Sequence, residues 1–260
     1  MTRLLSGLAL AGSAFAAVWF LPTTALLAVA LGVAALAFVE YARLARAVGA
    51  PLPAGIALAG TLAASAWTAL PAAPWAPIFG LLLLAVAVAL LARGEHGAAL
   101  LHGSAAAILA PVYLGLPLGA LVAIHQRSGR EGVLTLIATV AASDTFQYYT
   151  GRAFGRRPLA PTVSPKKTIE GAIGGLVLAP VALVALSRWW LPGLPPAGVW
   201  LAGVGMVVAG IAGDLFESAI KRAAGVKDSG TLIPGHGGVL DRIDALLFAA
   251  PLFLLLVTLA

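Results

Sequence analysis

The sequence predicts an all-α, polytopic integral membrane protein with about nine transmembrane helices. The first observation is composition: 61% of the 260 residues are hydrophobic and only 10% are charged, whereas soluble domains carry about 25% charged residues. The second is that apolar segments near the ~17–25 residues needed to cross a bilayer follow one another along the whole chain. The chain has no cysteine, which excludes disulfides, thiol nucleophiles and cysteine metal sites.

Nine apolar runs are long enough to cross a membrane. They are residues 4–21, 23–46, 54–70, 76–92, 99–124, 132–150, 170–190, 197–220 and 243–260. The first run resembles a signal peptide, but a second run follows at once, so we expect an uncleaved first span. We expect residues 1–130 to be a scaffold of helices on the lipid side and residues 131–260 to carry a catalytic site, both within one membrane domain.

The distribution of basic residues predicts the orientation of the chain. With the N-terminus inside, thirteen of the 16 lysines and arginines fall in cytoplasmic segments and three fall outside. The two longest polar stretches, residues 151–169 and 221–242, then face the cytoplasm from the inner (plasma) membrane. The net charge of +6 is explained by this bias and by anionic headgroups, without a nucleic-acid partner.

The acidic residues indicate a functional site. All five aspartates lie between Asp144 and Asp244, although isolated carboxylates at membrane depth are costly. In the eighth run, Asp214, Ser218 and Lys221 lie at helical spacing, so they share one face of a helix together with Glu217. A helix end stabilised by internal salt bridges is the simpler alternative for this polar face.

A glycine-rich turn precedes the ninth run. Gly235, Gly237 and Gly238 surround His236 and allow positive φ angles and close approach of the backbone to a ligand. Asp241 and Asp244 follow at a spacing of three, on one face of the first helical turn. Acids at a helix N-terminus also act as caps, so a structural role remains open for one of them.

A third segment, SDTFQYYTGRAFGRRPLAPTVSPKKTIEG at residues 143–171, combines Asp144 with a run of cations. The run also suits a simple cytoplasmic anchor. However, Ser164, Lys166 and Lys167 lie just before a predicted helix start, where hydroxyls and cations suit phosphate. Carboxylates for a divalent cation and lysines for phosphates together predict phosphoryl or nucleotidyl transfer to a lipid at the cytoplasmic face.

The segment SAIKRAAGVKDSGTLIPGHGGVLDRID, residues 218–244, resembles the signature of the phosphatidate cytidylyltransferase family, with every specified position filled. The resemblance extends over about residues 143–244. Gln147 departs from it, because the family pattern has a small residue there. The first 130 residues share only hydrophobicity and number of spans.

The resemblance implies a reaction of CTP with phosphatidic acid in the membrane to give CDP-diacylglycerol and pyrophosphate, with Mg²⁺ as cofactor and a homodimer as the assembly. It implies that Asp214 and Asp241 bind the metal, with Asp144 as a further ligand. The residues assigned to catalysis are Asp214, Asp241, Lys221, Arg222 and Lys227. Those assigned to substrate binding are Asp144, Ser164, Lys166, Lys167, Ser218, Asp228, His236, Gly237, Gly238, Arg242 and Asp244.

Three alternatives remain open from the sequence. A related CTP-dependent enzyme would act on an ether lipid or phosphorylate a polyprenol. An ion-coupled transporter would use Asp144 and Asp214 along an ion path. A catalytically inactive scaffold would keep the motif without turnover. Outside the motif, Glu40 with Arg43 three residues later predicts an anchor at the membrane interface.

Overall fold

The computed structural model describes residues 2–69 and 75–259, which are helical except for one small hairpin and the connecting loops. The helices are α1 Thr2–Phe20, α2 Thr23–Ala47, α3 Ala54–Ala69, α4 Trp75–Ala92, α5 Gly97–Ala110, a π-helical turn Pro111–Gly115, α6 Leu116–Phe154, α7 Ile169–Trp190, α8 Pro196–Ala223 and α9 Leu240–Leu259. The strands are β1 Pro158–Ala160 and β2 Ser164–Thr168. The predicted all-α class is confirmed.

Within the described residues, five segments are long and apolar enough to cross a membrane: Thr23–Ala47, Gly97–Phe154, Ile169–Trp190, Pro196–Ala223 and Leu240–Leu259. Three shorter apolar helices are Leu5–Phe20, Ala54–Ala69 and Pro77–Ala92. The predicted fifth and sixth runs are joined in Gly97–Phe154, where Gly129 has non-helical angles (φ 66°, ψ −170°) and separates two helical parts. The count of about nine spans stays a prediction. The last residue of the predicted run 54–70 and the last residue of the run 243–260 lie outside the described residues.

The chain forms two compact units, and neither is a contiguous half. Unit 1 contains residues 1–123 and 220–242, and unit 2 contains residues 124–219 and 243–260. Residues 220–242 belong to unit 1 because this segment forms hydrogen bonds with Ser6 of α1 and Glu40 of α2. The functional division near residue 130 that the sequence suggests stays a prediction.

Small residues bring the helices of unit 1 close together, as in many membrane proteins. A Cβ atom on Gly115, at the end of the π-helical turn, would lie 2.5 Å from the carbonyl oxygen of Thr61 in α3. Beside this contact, the Ser65 hydroxyl donates a hydrogen bond to the Gly115 carbonyl at 2.9 Å. The polar groups freed by the irregular turn are thereby satisfied inside the protein, as a low-dielectric surrounding requires.

The hairpin in unit 2 was not predicted. β1 pairs with β2 in antiparallel register, with Pro158 opposite Thr168. The Thr168 hydroxyl then caps α7 by accepting a hydrogen bond from the Gly171 amide at 3.1 Å. The predicted helix start after Lys167 is therefore confirmed, with both lysines on a strand that leads directly into α7.

Close packing of α8 on α9 in unit 2 gives a testable contrast between two glycines. A Cβ atom on Gly213 would lie 2.5 Å from the Asp244 carbonyl oxygen and 2.9 Å from the Phe248 ring, whereas one on Gly205 would lie 3.7 Å from Leu252. We expect Gly213→Ala to lower the free energy of unfolding by about 1–3 kcal/mol through overpacking. Gly205→Ala, the matched control, should be neutral or slightly stabilising because alanine favours helix. Thermal melting in detergent measures both, and equal melting temperatures for the two variants would contradict this packing.

Candidate active site

A cavity of about 360 Å³ in unit 2 gathers two of the predicted carboxylates and a group of cations. Asp144 of α6 and Asp214 of α8 line it, together with Lys166 and Lys167 of β2 and with Arg152 near the end of α6. Three helices and the hairpin therefore present side chains of both charges to one cavity. Such an arrangement suits a ligand that carries both phosphate groups and a bound cation.

Asp214 is fixed by partners on both of its oxygens. Lys167 Nζ lies 2.6 Å from Oδ2, and the Ser218 hydroxyl donates to Oδ1 at 3.2 Å. The Lys167 and Asp214 side chains are 21% and 31% exposed, so this ion pair lies at the cavity wall and is accessible to a ligand. The predicted shared face of α8 is thus confirmed for Asp214 and Ser218, which bond directly to one another.

Gln147 also lines this cavity, at the position where it departs from the family pattern. Its amide donates to the Ser143 hydroxyl at 2.9 Å, and its side chain lies over Gly175 of α7. A Cβ atom on Gly175 would lie 2.7 Å from Gln147 Cγ. The absence of a side chain at Gly175 therefore leaves room for Gln147.

The loop between α6 and β1 is held by Glu170, in the first turn of α7. Its Oε2 atom accepts hydrogen bonds from the main-chain amides of Arg156 and Arg157, at 3.0 and 3.2 Å. This carboxylate thus orders the backbone of a basic segment. This role of Glu170 was not predicted from the sequence.

In unit 1, Asp241 is the centre of a buried polar cluster. Its Oδ1 accepts from Lys221 Nζ at 2.6 Å, and its Oδ2 accepts from the amides of Ser229 and Gly238 and from the Ser229 hydroxyl, at 2.9, 2.7 and 3.0 Å. The side chains of Lys221 and Asp241 are 10% and 4% exposed. Asp241 therefore holds the segment before α9 through three hydrogen bonds and connects it to Lys221 of α8 through a fourth. Its predicted role as a metal ligand stays a prediction.

The glycine-rich turn has the backbone that the sequence predicts. Gly235 and Gly237 have φ angles of 76° and 82°, which favour glycine over any residue with a side chain. His236 between them shares a hydrogen bond of 2.8 Å with the Ser6 hydroxyl of α1, through Nδ1. This hydrogen bond connects the turn to α1, and α1 lies outside the part of the sequence that the family resemblance covers.

A second polar cavity, of about 400 Å³, lies along this turn in unit 1. It is lined by five residues predicted for the site, namely Lys227, Asp228, His236, Gly237 and Arg242. The cations are exposed, so they are accessible to an anionic ligand. Each unit therefore contains one cavity that combines cationic and acidic side chains.

Four other residues predicted for the site, Arg222, Asp244, Ser164 and Gly238, do not line either of the two cavities. Arg222 donates to the Val226 carbonyl at 3.0 Å, and Asp244 Oδ1 accepts from the Ala245 amide at 2.9 Å. Ser164 lies on β2, and Gly238 is buried beside Asp241. Their assignments to catalysis and substrate binding stay predictions.

Glu40 corrects the sequence analysis. Instead of an exposed interfacial anchor, its side chain is buried in unit 1, with the residue 4% exposed. Its carboxylate accepts hydrogen bonds from Ser229 and from the Val239 and Leu240 amides. The signal available in the sequence was a lone carboxylate inside an apolar run, since Glu40 is the first acidic residue of the chain and the next is Glu95.

Comparison with known sequences agrees with the chemistry of these cavities. The sequence profile of the cytidylyltransferase family matches residues 1–260. The chain belongs to the cytidylyltransferase family. The resemblance stated from the motif is therefore confirmed at the level of the family.

Several curated phosphatidate cytidylyltransferases are similar to part of this chain. The chain is 41% identical over 144 residues to the phosphatidate cytidylyltransferase of Helicobacter pylori strain 26695, covering 55% of this chain and 53% of the relative. It is 49% identical over 125 residues to that of Haemophilus influenzae, covering 46% and 43%. It is 40% identical over 153 residues to that of Thermotoga maritima, covering 56% of each. The chain thus spans about half the length of the curated relatives it matches.

Proposed function

We propose that this chain is a phosphatidate cytidylyltransferase, which transfers the cytidylyl group of CTP to phosphatidic acid and releases pyrophosphate. The observation that carries the proposal is the unit 2 cavity, where Asp144 and Asp214 lie with three cations in a member of the cytidylyltransferase family. The printed names of the relatives support the same reaction.

The reaction brings together two anions, the lipid phosphate and CTP, which repel one another. Cationic side chains of the protein reduce this repulsion. The lipid phosphate is already ionised, so its attack on the α-phosphorus of CTP needs no strong general base. We propose that Lys166, Lys167 and Arg152 neutralise phosphate charge in the unit 2 cavity, and that Lys227 and Arg242 do so in the unit 1 cavity. Fixed cations and correct positioning then supply much of the rate enhancement.

Enzymes of the cytidylyltransferase family generally use a divalent metal ion. Asp144 and Asp214 fit this requirement, because Mg²⁺ prefers one or two carboxylates and completes its coordination with water and substrate phosphates. We propose that Mg²⁺ is held at these two residues. When bound, the metal would stabilise negative charge on the phosphate oxygens and on the leaving pyrophosphate.

The chain is a membrane protein, and we propose that it resides in the inner (plasma) membrane with its active site facing the cytoplasm. The positive-inside distribution of lysine and arginine supports this orientation. CTP is a cytoplasmic nucleotide, so the orientation also gives the proposed enzyme access to its substrate. The homodimer implied by the family resemblance is part of the proposal.

A product assay with defined acceptors tests the proposed function. The purified protein in detergent receives Mg²⁺, one of three acceptors (phosphatidic acid, its ether-linked analogue or a polyprenol) and CTP labelled, in separate reactions, at the α- or the γ-phosphorus. Both labels are needed because cytidylyl transfer delivers the α-phosphorus to the lipid, whereas a polyprenol kinase delivers only the γ-phosphoryl group. We expect a labelled lipid and released pyrophosphate with phosphatidic acid. Label only in the ether lipid or only in the polyprenol would replace the proposal by the corresponding alternative.

A further inference from the structure

A carboxylate from α2 is bound by the segment that leads into α9. Glu40 Oε2 accepts from the Ser229 hydroxyl at 2.7 Å and from the Leu240 amide at 2.9 Å, while Oε1 accepts from the Val239 amide at 2.9 Å. These partners lie about 190 to 200 residues further along the chain. Glu40 therefore fixes both the loop and the N-terminus of α9 from a distant helix.

Ser229 connects this carboxylate to Asp241. Its hydroxyl lies 2.7 Å from Glu40 Oε2 and 3.0 Å from Asp241 Oδ2, while its main-chain amide donates to Asp241 Oδ2 at 2.9 Å. A hydroxyl carries a single proton, so it donates to one carboxylate at a time. On the far side of Asp241, Lys221 Nζ lies 2.6 Å from Oδ1. The contacts form a continuous chain from Glu40 to Lys221.

Two glycines of the motif make room for Glu40. A Cβ atom on Gly230 would lie 2.6 Å from Glu40 Oε1, and one on Gly238 would overlap Glu40 Oε2 and the Ser229 hydroxyl. Glycine is therefore needed at these two positions because a larger residue would collide with the Glu40 carboxylate. The backbone angles at these positions do not themselves require glycine. Loop and carboxylate fit one another closely, which restricts the positions that the loop can take.

A purely structural cap does not explain this arrangement. A serine or asparagine within the loop would cap α9 at lower cost, because a buried carboxylate is expensive to desolvate. Glu40 also places a second negative charge one hydroxyl away from Asp241, which opposes its own burial. However, Glu40 binds Ser229 and the N-terminus of α9 at the same time. It thereby fixes the position of Asp241, which in turn orients Lys221.

We infer that Glu40 is a positioning residue for the proposed cytidylyl transfer, acting through Ser229 on Asp241 and Lys221. This inference rests on the proposed function and on the assignment of Lys221 to catalysis that the family resemblance implies. Glu40 itself touches no substrate. Its role is to keep the Lys221–Asp241 pair in one orientation while the chemistry takes place.

Four variants test the inference: Glu40→Gln, Ser229→Ala, their combination, and the control Glu131→Gln, whose side chain is 36% exposed. Glutamine has the same size as Glu40, but one of the two accepting oxygens becomes an NH₂ group. That group cannot accept the hydrogen bonds that Ser229, Val239 and Leu240 donate to the carboxylate. We expect Glu40→Gln to lower kcat for labelled-lipid formation by about 10- to 100-fold, because losses of this size are typical when a group that orients a catalytic residue is removed. The KM for CTP should stay within about 3-fold of the wild-type value. Ser229→Ala should lose less, and the double variant should be no slower than Glu40→Gln.

Hydrogen–deuterium exchange of the purified proteins supplies a readout independent of turnover. We expect the peptide covering residues 227–240 to exchange faster in Glu40→Gln than in wild type, with α2 unchanged. Unchanged exchange in that peptide overturns the inference even if no variant can be assayed. So does a Glu40→Gln kcat within 2-fold of wild type, or a double-variant loss equal to the product of the single losses. If wild type and Glu131→Gln both form no labelled lipid, the proposed function fails, and the exchange result alone then decides whether Glu40 positions the loop.

Discussion

Replacing Asp214 by asparagine is expected to lower the rate of labelled-lipid formation by at least about 100-fold, because a neutral amide supplies neither the charge that pairs with Lys167 nor the carboxylate that the proposed metal requires. Asn keeps the size of the side chain and can still accept from Ser218, but it loses the charge that pairs with Lys167 at 2.6 Å. The fold should survive, since both side chains of that pair are partly exposed. Steady-state kinetics on detergent-purified protein, with thermal melting in parallel, measures both effects.

The control for this prediction is Glu131→Gln, which removes a charge from another exposed ion pair, with Arg130, in the same unit. It should retain wild-type turnover and melting. An Asp214→Asn enzyme that melts like wild type and keeps more than half of its activity would remove Asp214 from the proposed metal site. The family assignment would stand in that case.

Replacing Lys221 by methionine should destabilise unit 1 and abolish turnover together. The Lys221–Asp241 pair is buried, and removing one partner leaves a carboxylate without its cation at a cost of about 3–5 kcal/mol. Methionine retains most of the apolar stem, so the loss reports on charge rather than on packing. A lowered melting temperature and absent labelled lipid are the expected results.

Combining Lys221→Met with Asp241→Asn separates stability from catalysis. The pair becomes neutral, so most of the lost stability should return, because a buried ion pair replaced as a whole is often close to neutral in free energy. Turnover should stay absent, since the double variant still lacks the Lys221 cation, which the family resemblance assigns to catalysis. A double variant that recovers both stability and activity would show that Lys221 and Asp241 serve the fold alone.

The sequence was most informative about local patterns. Hydrophobic runs predicted α2 and α7–α9 to within a few residues, because crossing a bilayer sets their length and composition. Helical spacing predicted the contact of Asp214 with Ser218, because residues four apart lie on one helix face. The positive φ angles of Gly235 and Gly237 followed from residue type in the same way.

Contacts between distant segments could not be predicted. The bonds of Glu40 to Ser229 and Leu240, and of Ser6 to His236, join residues about 190 to 230 positions apart, and helical periodicity carries no information at that range. The strand pair before α7 was missed because three to five residues with two prolines give no alternating pattern. Glu40 was misinterpreted because its spacing to Arg43 suited a surface pair, whereas tertiary packing buries it.

The position of the label in CTP tests the proposed transfer most directly. Purified protein is given phosphatidic acid and Mg²⁺ with CTP labelled either at the α-phosphorus or at the γ-phosphorus. Cytidylyl transfer predicts that only the α-label enters the lipid, while the γ-label appears in pyrophosphate in equal amount. Label from the γ-position in the lipid, or α-labelled CDP released into solution, would show phosphoryl transfer and contradict the proposed function.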